Sequence, residues 1–302
     1  MLFICMQNQT KLKIFYRTEQ TVENMASDNS FGYPSLSPSA KKPRLVVEDY
    51  LSSIYSDRIE IVNDWEPISN KDFYLVHDMN HVNGILECRS LNGFGNKSKE
   101  IADSLYYTNG SFVRAAMYAY TNKCVTMSPT SGFHHAGYSS SEGFCTFNGL
   151  MITAVKLRTE LNVKNITIVD YDAHWGNGTD DIINKLGIHN IQHISLGKAA
   201  FKINRKALTG EEWVNNIEND LNRNAINSDI ILYQSGADPH INDPYGGLLT
   251  TEQMYKRDCI VFDFAKKHNI PIVWNLAGGY QEPIEKVLEL HMNTLKACIG
   301  AM

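Results

Sequence analysis

The chain has 302 residues, 43% hydrophobic and 20% charged, an ordinary soluble composition with enough length to bury a full sheet between two helical layers. Its net charge of −5 and pI near 6.1 speak against a nucleic-acid binder, which would carry a basic face. A mildly acidic protein suits cationic partners such as lysine tails or polyamines, although net charge alone is weak support. No run approaches the roughly 18 apolar residues of a membrane span, and the opening apolar run is shorter than a secretory leader needs. Cysteines at positions 5, 88, 124, 145, 259 and 298 form no C-x-x-C pair, which argues against a zinc ribbon or a thioredoxin motif. They read as reduced, mostly structural thiols of an intracellular, cytoplasmic protein.

In chain order, residues 1–11 read as a disordered extension and residues 12–302 as one domain. Lys13–Arg17 is a short strand, and residues 17–43, rich in Ser, Asn and Pro, form a surface loop. Beyond Pro43, helical periodicity covers 45–55, 71–89, 98–121, 143–161, 178–186, 211–226, 251–268 and 282–299. Between these lie apolar runs at 124–128, 166–171, 191–196, 229–234 and 271–276. Continuous apolar strands alternating with amphipathic helices predict an α/β fold whose central sheet is mostly parallel and covered on both faces. Sites in such sheets lie beyond the carboxyl ends of the strands, where SGFHHAG, DAHWGNG, GADPH and AGGY stand in this chain.

Asp172 and His174 are two apart at a strand end, so both side chains can point one way, and Asp238 ends another strand. One imidazole and two carboxylates give three ligands and leave open positions, the pattern of a catalytic zinc centre; ferrous iron suits the same set. His134 and His135 follow a third strand end. One of them can serve as general base and the other can hydrogen-bond the same water or the developing oxyanion. Asp170, two residues before Asp172, can orient an imidazole by accepting its N–H. Gly278 and Gly279 permit a tight turn that brings Tyr280 close, where its phenol can donate to an oxyanion. Phe144 can wall an apolar slot.

The segments SPTSGFHHAGYSSSEGFCTFNGL, VDYDAHWGNGT, GADPHINDPYGGL and LAGGY resemble the successive motifs of the zinc-dependent histone deacetylase superfamily, which includes class II-type deacetylases and acetylpolyamine amidohydrolases. The resemblance covers roughly residues 12–300. It implies an arginase/deacetylase fold and metal-dependent hydrolysis of an acylated lysine or polyamine amide. It implies Asp172, His174 and Asp238 as zinc ligands, His135 as the base with His134 as its electrostatic partner, and Tyr280 as the oxyanion donor. Gly143 and Phe144 would line the tunnel. It also implies a structural potassium ion at Asp170, Asp172, His174, Ser195 and Leu196. Departures are Trp175 in place of a second histidine, Asn177 in place of the class I acid, and a Ser37–Ser39 segment (S-P-S) in place of H-P-E. Phe201 is offered as a second tunnel aromatic and Asn96 as the rim residue. A two-manganese ureohydrolase is disfavoured, since no acid stands two residues beyond His174 and Asp243 lies five beyond Asp238. A non-catalytic binder of acylated partners is the other competing class.

Overall fold

The computed structural model describes residues 11–23, 38–188, 190–198 and 209–302. Phe201 and Ser37, and residues 1–10 of the expected N-terminal extension, lie outside these residues. Seven strands form one sheet: β1 (Leu12–Phe15), β2 (Ile59–Val62), β3 (Val125–Ser131), β4 (Ile166–Asp170), β5 (Ile191–Ser195), β6 (Ile230–Gly236) and β7 (Ile272–Ala277). Their spatial order is β2-β1-β3-β7-β6-β4-β5, and every pairing is parallel.

The helices are α1 (Lys42–Ser52), α2 (Asn70–Phe73), α3 (Met79–Leu86), α4 (Lys99–Asn122), α5 (Gly149–Leu161), α6 (Asn177–Leu186), α7 (Gly210–Asn224), α8 (Thr251–Lys267) and α9 (Glu285–Ala301). Strand alternation divides the core. Ile231 and Tyr233 face α1, α7, α8 and α9 with Tyr50, Trp213, Phe262 and Leu295. Ile230 and Leu232 face α4 and α5 with Phe112, Val113, Leu150 and Leu157. Both faces are dry, which is why these strands read as continuous apolar runs.

Three expectations change. The helix foreseen over 71–89 is two, because the Asp78 side chain accepts the N–H groups of Asn80 and His81 and starts α3 afresh. The helix foreseen from 143 begins at Gly149, where the Asn148 side chain caps the N–H of Met151. Gly143 and Phe144 before it have φ of 56° and 62°, outside helical geometry. β2 (IEIV) was not foreseen; it is a four-residue edge strand with one residue buried, one exposed and two between, too short for its period to register.

The order β3-β7-β6-β4 sets four polar strand ends side by side. Arg257 on α8, fully buried, ties two of them: its Nη1 donates to the carbonyls of Tyr171 (3.0 Å) and Gly236 (2.7 Å), and its Nη2 to Ser235 Oγ (3.2 Å). Tyr171 precedes Asp172, and Gly236 comes two residues before Asp238. The Arg257→Met substitution should lower unfolding free energy by about 3–5 kcal/mol, since it strands buried acceptors and the neighbouring Asp258. Urea titration checks this, and a loss below about 1 kcal/mol would show that the clamp is not needed.

Candidate active site

Asp172 and Asp238 are buried, at 2% and 0% exposure, and reach the same point from β4 and β6. Asp172 Oδ1 accepts the backbone N–H of His174 (2.9 Å) and lies 3.0 Å from its Nδ1. Asp238 Oδ1 accepts the N–H of Ala173 at 3.0 Å. Asp238 Oδ2 lies 2.9 Å from His174 Nδ1 without hydrogen-bond alignment, so this buried oxygen has no hydrogen-bond partner. One ligand atom from each of Asp172, His174 and Asp238 falls within 4.8 Å of the others. Burial and the charge of Asp172 push the Asp238 carboxyl upward, while contact with Asp172 and Asp238 pushes the His174 imidazole up to about 11. The cluster therefore draws positive charge inward, and its donor set suits zinc. Among the described residues this is the one group of three or more such side chains placed to hold a metal. Asp243 accepts the N–H groups of Tyr280 (2.8 Å) and Tyr245 (3.0 Å), so it builds the surrounding turn.

Space for the cluster comes from glycine. A Cβ on Gly278 (φ +46°) would lie 2.2 Å from Asp238 Cγ, and one on Gly236 would lie 2.5 Å from Asp172 Cα. Neither position can carry a side chain without moving Asp172 or Asp238.

The two imidazoles differ in surroundings. His134 is buried; its Nδ1–H donates to Asp170 Oδ2 (2.8 Å), and its Nε2 lies 3.6 Å from Asp172 Oδ1. Burial lowers its pKa, but Asp170 and Asp172 outweigh that and raise it to about 9. His135 Nδ1 donates to Asn177 Oδ1 at 2.6 Å. Burial and the neighbouring His134, whose ring centroid is 4.1 Å away, shift His135 downward. Asp170 Oδ1 also accepts from Gln234 Nε2 at 3.1 Å. Asp170 and Ser195 are register partners across β4 and β5, which sets two oxygen donors side by side. Ser195 Oγ accepts N–H groups from Gly176 (3.3 Å) and Lys198 (3.4 Å), and Leu196 is buried beside it.

Tyr280, whose phenol pKa burial and Asp238 push well upward, packs against Phe144 (5.7 Å between ring centroids) and edge-on against Tyr245 (5.1 Å). Phe144 in turn meets Phe94 at 5.8 Å. Gly143 presses on the His135 ring, since a Cβ there would sit 2.5 Å from its Cδ2. The described mouth is thus aromatic on the Phe94, Phe144, Tyr280 and Tyr245 side. Asn96 does not reach it: it is 5% exposed, and its Oδ1 accepts from Asn92 Nδ2 (2.6 Å) and the N–H of Ser98 (3.0 Å). That internal network replaces the rim role expected of it.

Three residues were missed from sequence. Tyr245 is one. Lys42, fully buried, donates to the Gly278 carbonyl behind the metal turn, and burial pulls its pKa down to about 8. His77 donates through Nδ1–H to the Gly137 carbonyl (2.8 Å) and accepts the Asn148 N–H on Nε2 (2.9 Å), joining the His-pair loop to the start of α5. A lone lysine in a loop and a lone histidine before a helix give no local signal, since their partners lie 236, 60 and 71 residues away.

A parallel sheet with a carboxylate–imidazole cluster at its carboxyl edge is the layout of the arginase/deacetylase fold. The histone deacetylase domain model matches residues 39–203 and 200–295, and the chain belongs to the histone deacetylase family. Histone deacetylase 2 of Arabidopsis thaliana is 24% identical over 255 residues, 74% of this chain and 65% of that protein. Histone deacetylase 18 of the same plant is 29% identical over 260 residues, 70% of this chain and 37% of that protein. The chain thus spans less than two thirds of these relatives. The acetylpolyamine aminohydrolase of Burkholderia pseudomallei superposes with a TM-score of 0.76 at 14% identity, covering 95% of this chain and 98% of that one. The HDA15 HD domain gives 0.72 at 17% identity, with 97% and 89% covered.

Burial pushes His77 down to about 3, from the ordinary value of 6.5. The unfolded chain therefore binds its proton more readily, and the stability tied to neutral His77 is present above pH 6.5 and lost as pH falls toward 3. At ~1.4 kcal/mol per pH unit, the stability deficit of His77→Gln should narrow by about 2 kcal/mol between pH 7 and pH 5. Urea unfolding at the two pH values measures it, and a pH-independent deficit would contradict the neutral, doubly bonded imidazole.

Proposed function

We propose that this chain hydrolyses the amide of N-ε-acyl-lysine in a protein or peptide, with acetyl as the first candidate. The observation that carries this reading is Asp238 Oδ2, which accepts no hydrogen bond although buried with Asp172 and His174 near Tyr280 and two imidazoles, each hydrogen-bonded from behind. Asp172, His174 and Asp238 would hold zinc, with ferrous iron the alternative that the same donors accept. Such an ion, when bound, polarises the amide carbonyl and acidifies water. His135 is assigned as general base: burial and His134 lower its pKa, and Asn177 accepts its Nδ1–H, leaving Nε2 to take the proton. His134 supplies positive charge beside it, held by Asp170. Tyr280 donates its O–H to the developing oxyanion. A histidine then returns a proton to the leaving amine. Gly143, Phe144 and Gly278 border the slot for the aliphatic stem.

The acetylpolyamine aminohydrolase among the structural relatives makes an acetylated polyamine the alternative substrate. Structural potassium at Asp170, Asp172, His174, Ser195 and Leu196 belongs to the same proposal, supported by the register pairing of Asp170 with Ser195. So do a single catalytic domain over 12–302 and an intracellular, cytoplasmic setting, the latter supported by free cysteines at 88, 124, 145, 259 and 298. Among the described residues, no helix is long and apolar enough to cross a membrane.

The test is a screen of acyl-lysine peptides and acetylpolyamines with zinc-reconstituted protein, read by amine release. Turnover of an acyl-lysine peptide supports the reading; bound metal without turnover of any acyl amide would favour a binding module. On the preferred substrate, Tyr280→Phe should reduce kcat by about 10²–10³, and an unchanged rate would remove Tyr280 from the chemistry. Asp238→Ala should abolish stoichiometric metal measured by mass spectrometry, and retained metal would contradict its assignment.

A further inference from the structure

Asp170 has a second neighbour besides His134. His193 on β5 has a side chain only 3% exposed and lies diagonally across the strand pair, two residues before Ser195. Its Nε2 stands 3.5 Å from Asp170 Oδ2, the oxygen that accepts from His134. Its Nδ1 lies 2.8 Å from Asp180 Oδ1, in the first turn of α6. Asp180 Oδ2 in turn accepts from Trp175 Nε1 (2.8 Å) and from Lys198 Nζ. His193 Nε2 makes no aligned hydrogen bond, so the link to Asp170 is a 3.5 Å approach within a row that runs from the protein surface inward: Lys198 and Trp175, Asp180, His193, Asp170, His134.

The same turn of α6 reaches the His pair by two other routes. Asn177 accepts from His135, and the N–H of Thr179 donates to the His134 carbonyl at 3.0 Å. Asp180 is therefore one residue from the backbone that holds His134 and three from the side chain that holds His135. Gly176, at the head of α6, keeps this space clear, since a Cβ there would meet Asp170 Oδ2 at 2.5 Å and the His193 ring at 2.9–3.0 Å. Trp175 follows the metal-binding His174 directly, so the row also ties the metal loop to β5. The imidazole of His193 stands between the Asp170 and Asp180 carboxylates.

We propose that His193 and Asp180 are positioning residues for the reaction: they hold the Asp170 carboxylate, and through it the orientation of the His134 imidazole. The kinetic part rests on the deacylase reading above; the spectroscopic part does not. Partners of this kind, one shell removed from the reacting groups, typically change activity about 10–100-fold when removed.

The test uses the zinc-reconstituted full chain, labelled at histidine nitrogens. The hydrogen-bonded Nδ1–H proton of His134 is identified by its loss in His134→Gln. In His193→Phe and in Asp180→Ala this resonance should move upfield and broaden. In both variants kcat on the preferred acyl substrate should fall about 10–100-fold with KM little changed, the mark of lost transition-state orientation. Asp180→Asn retains an oxygen that accepts from His193 Nδ1–H, so it should restore both readouts toward wild type. Asp180→Ala and Asp180→Asn alter a smaller side chain nearer the surface, 12% exposed, and keep the arm testable if His193→Phe does not fold. A folded His193→Phe or Asp180→Ala with an unmoved His134 resonance and unchanged kcat would overturn the proposal and leave the row as a strut between β5 and α6. If no acyl amide is turned over, the resonance still decides, so failure of this inference is distinct from failure of the functional reading.

Discussion

Asp172 and Asp238 carry two carboxylates to one nearly dry point, and their mutual repulsion is the constraint around which the surrounding residues are arranged. Burying one ionised carboxylate is costly, and burying two side by side demands a cation or a proton between them. The fold answers with positive groups on several sides. His174 lies against both, His134 lies 3.6 Å from Asp172, and Lys42 sits behind the Gly278 carbonyl. None of these gives Asp238 Oδ2 an aligned hydrogen bond, and that oxygen is where the proposed chemistry begins.

Holding two like charges together needs a rigid frame. Arg257 supplies part of it by bonding the carbonyls of Tyr171 and Gly236, at the carboxyl ends of β4 and β6. Glycines 236 and 278 let the backbone pass within contact distance of the carboxylates. Asp243 fixes the turn on which Tyr280 is presented, which gives a further acid near the cluster a structural partner. The imidazoles are then separated electrically by what stands behind them. A carboxylate behind His134 raises it, whereas an amide oxygen behind His135, with His134 alongside, leaves it lowered. Two adjacent histidines thereby stand in opposite electrostatic surroundings.

Much of this was legible in the sequence because it is local. β4, β6 and β7 are continuous apolar runs, and their polar ends carry Asp170, Asp172, His174, Asp238 and Tyr280 within a few residues of the strand. Register then brings those ends together without any further information in the side chains. What was not legible is long-range or cap-dependent. Lys42, His77 and Tyr245 acquire meaning only from partners far along the chain. The break between α2 and α3 depends on one aspartate choosing a cap over the helix interior. β2 is too short and too exposed to show a period. Asn96 was misplaced because a loop asparagine looks alike whether it faces substrate or its own turn.

The central claim is that the two carboxylates share one metal ion. Anomalous diffraction above the zinc edge, from crystals grown with zinc, tests it directly. The account predicts a single strong peak bonded to an oxygen of Asp172, an oxygen of Asp238 and a nitrogen of His174. No peak there, or a second peak ligated by Asp243, would contradict it.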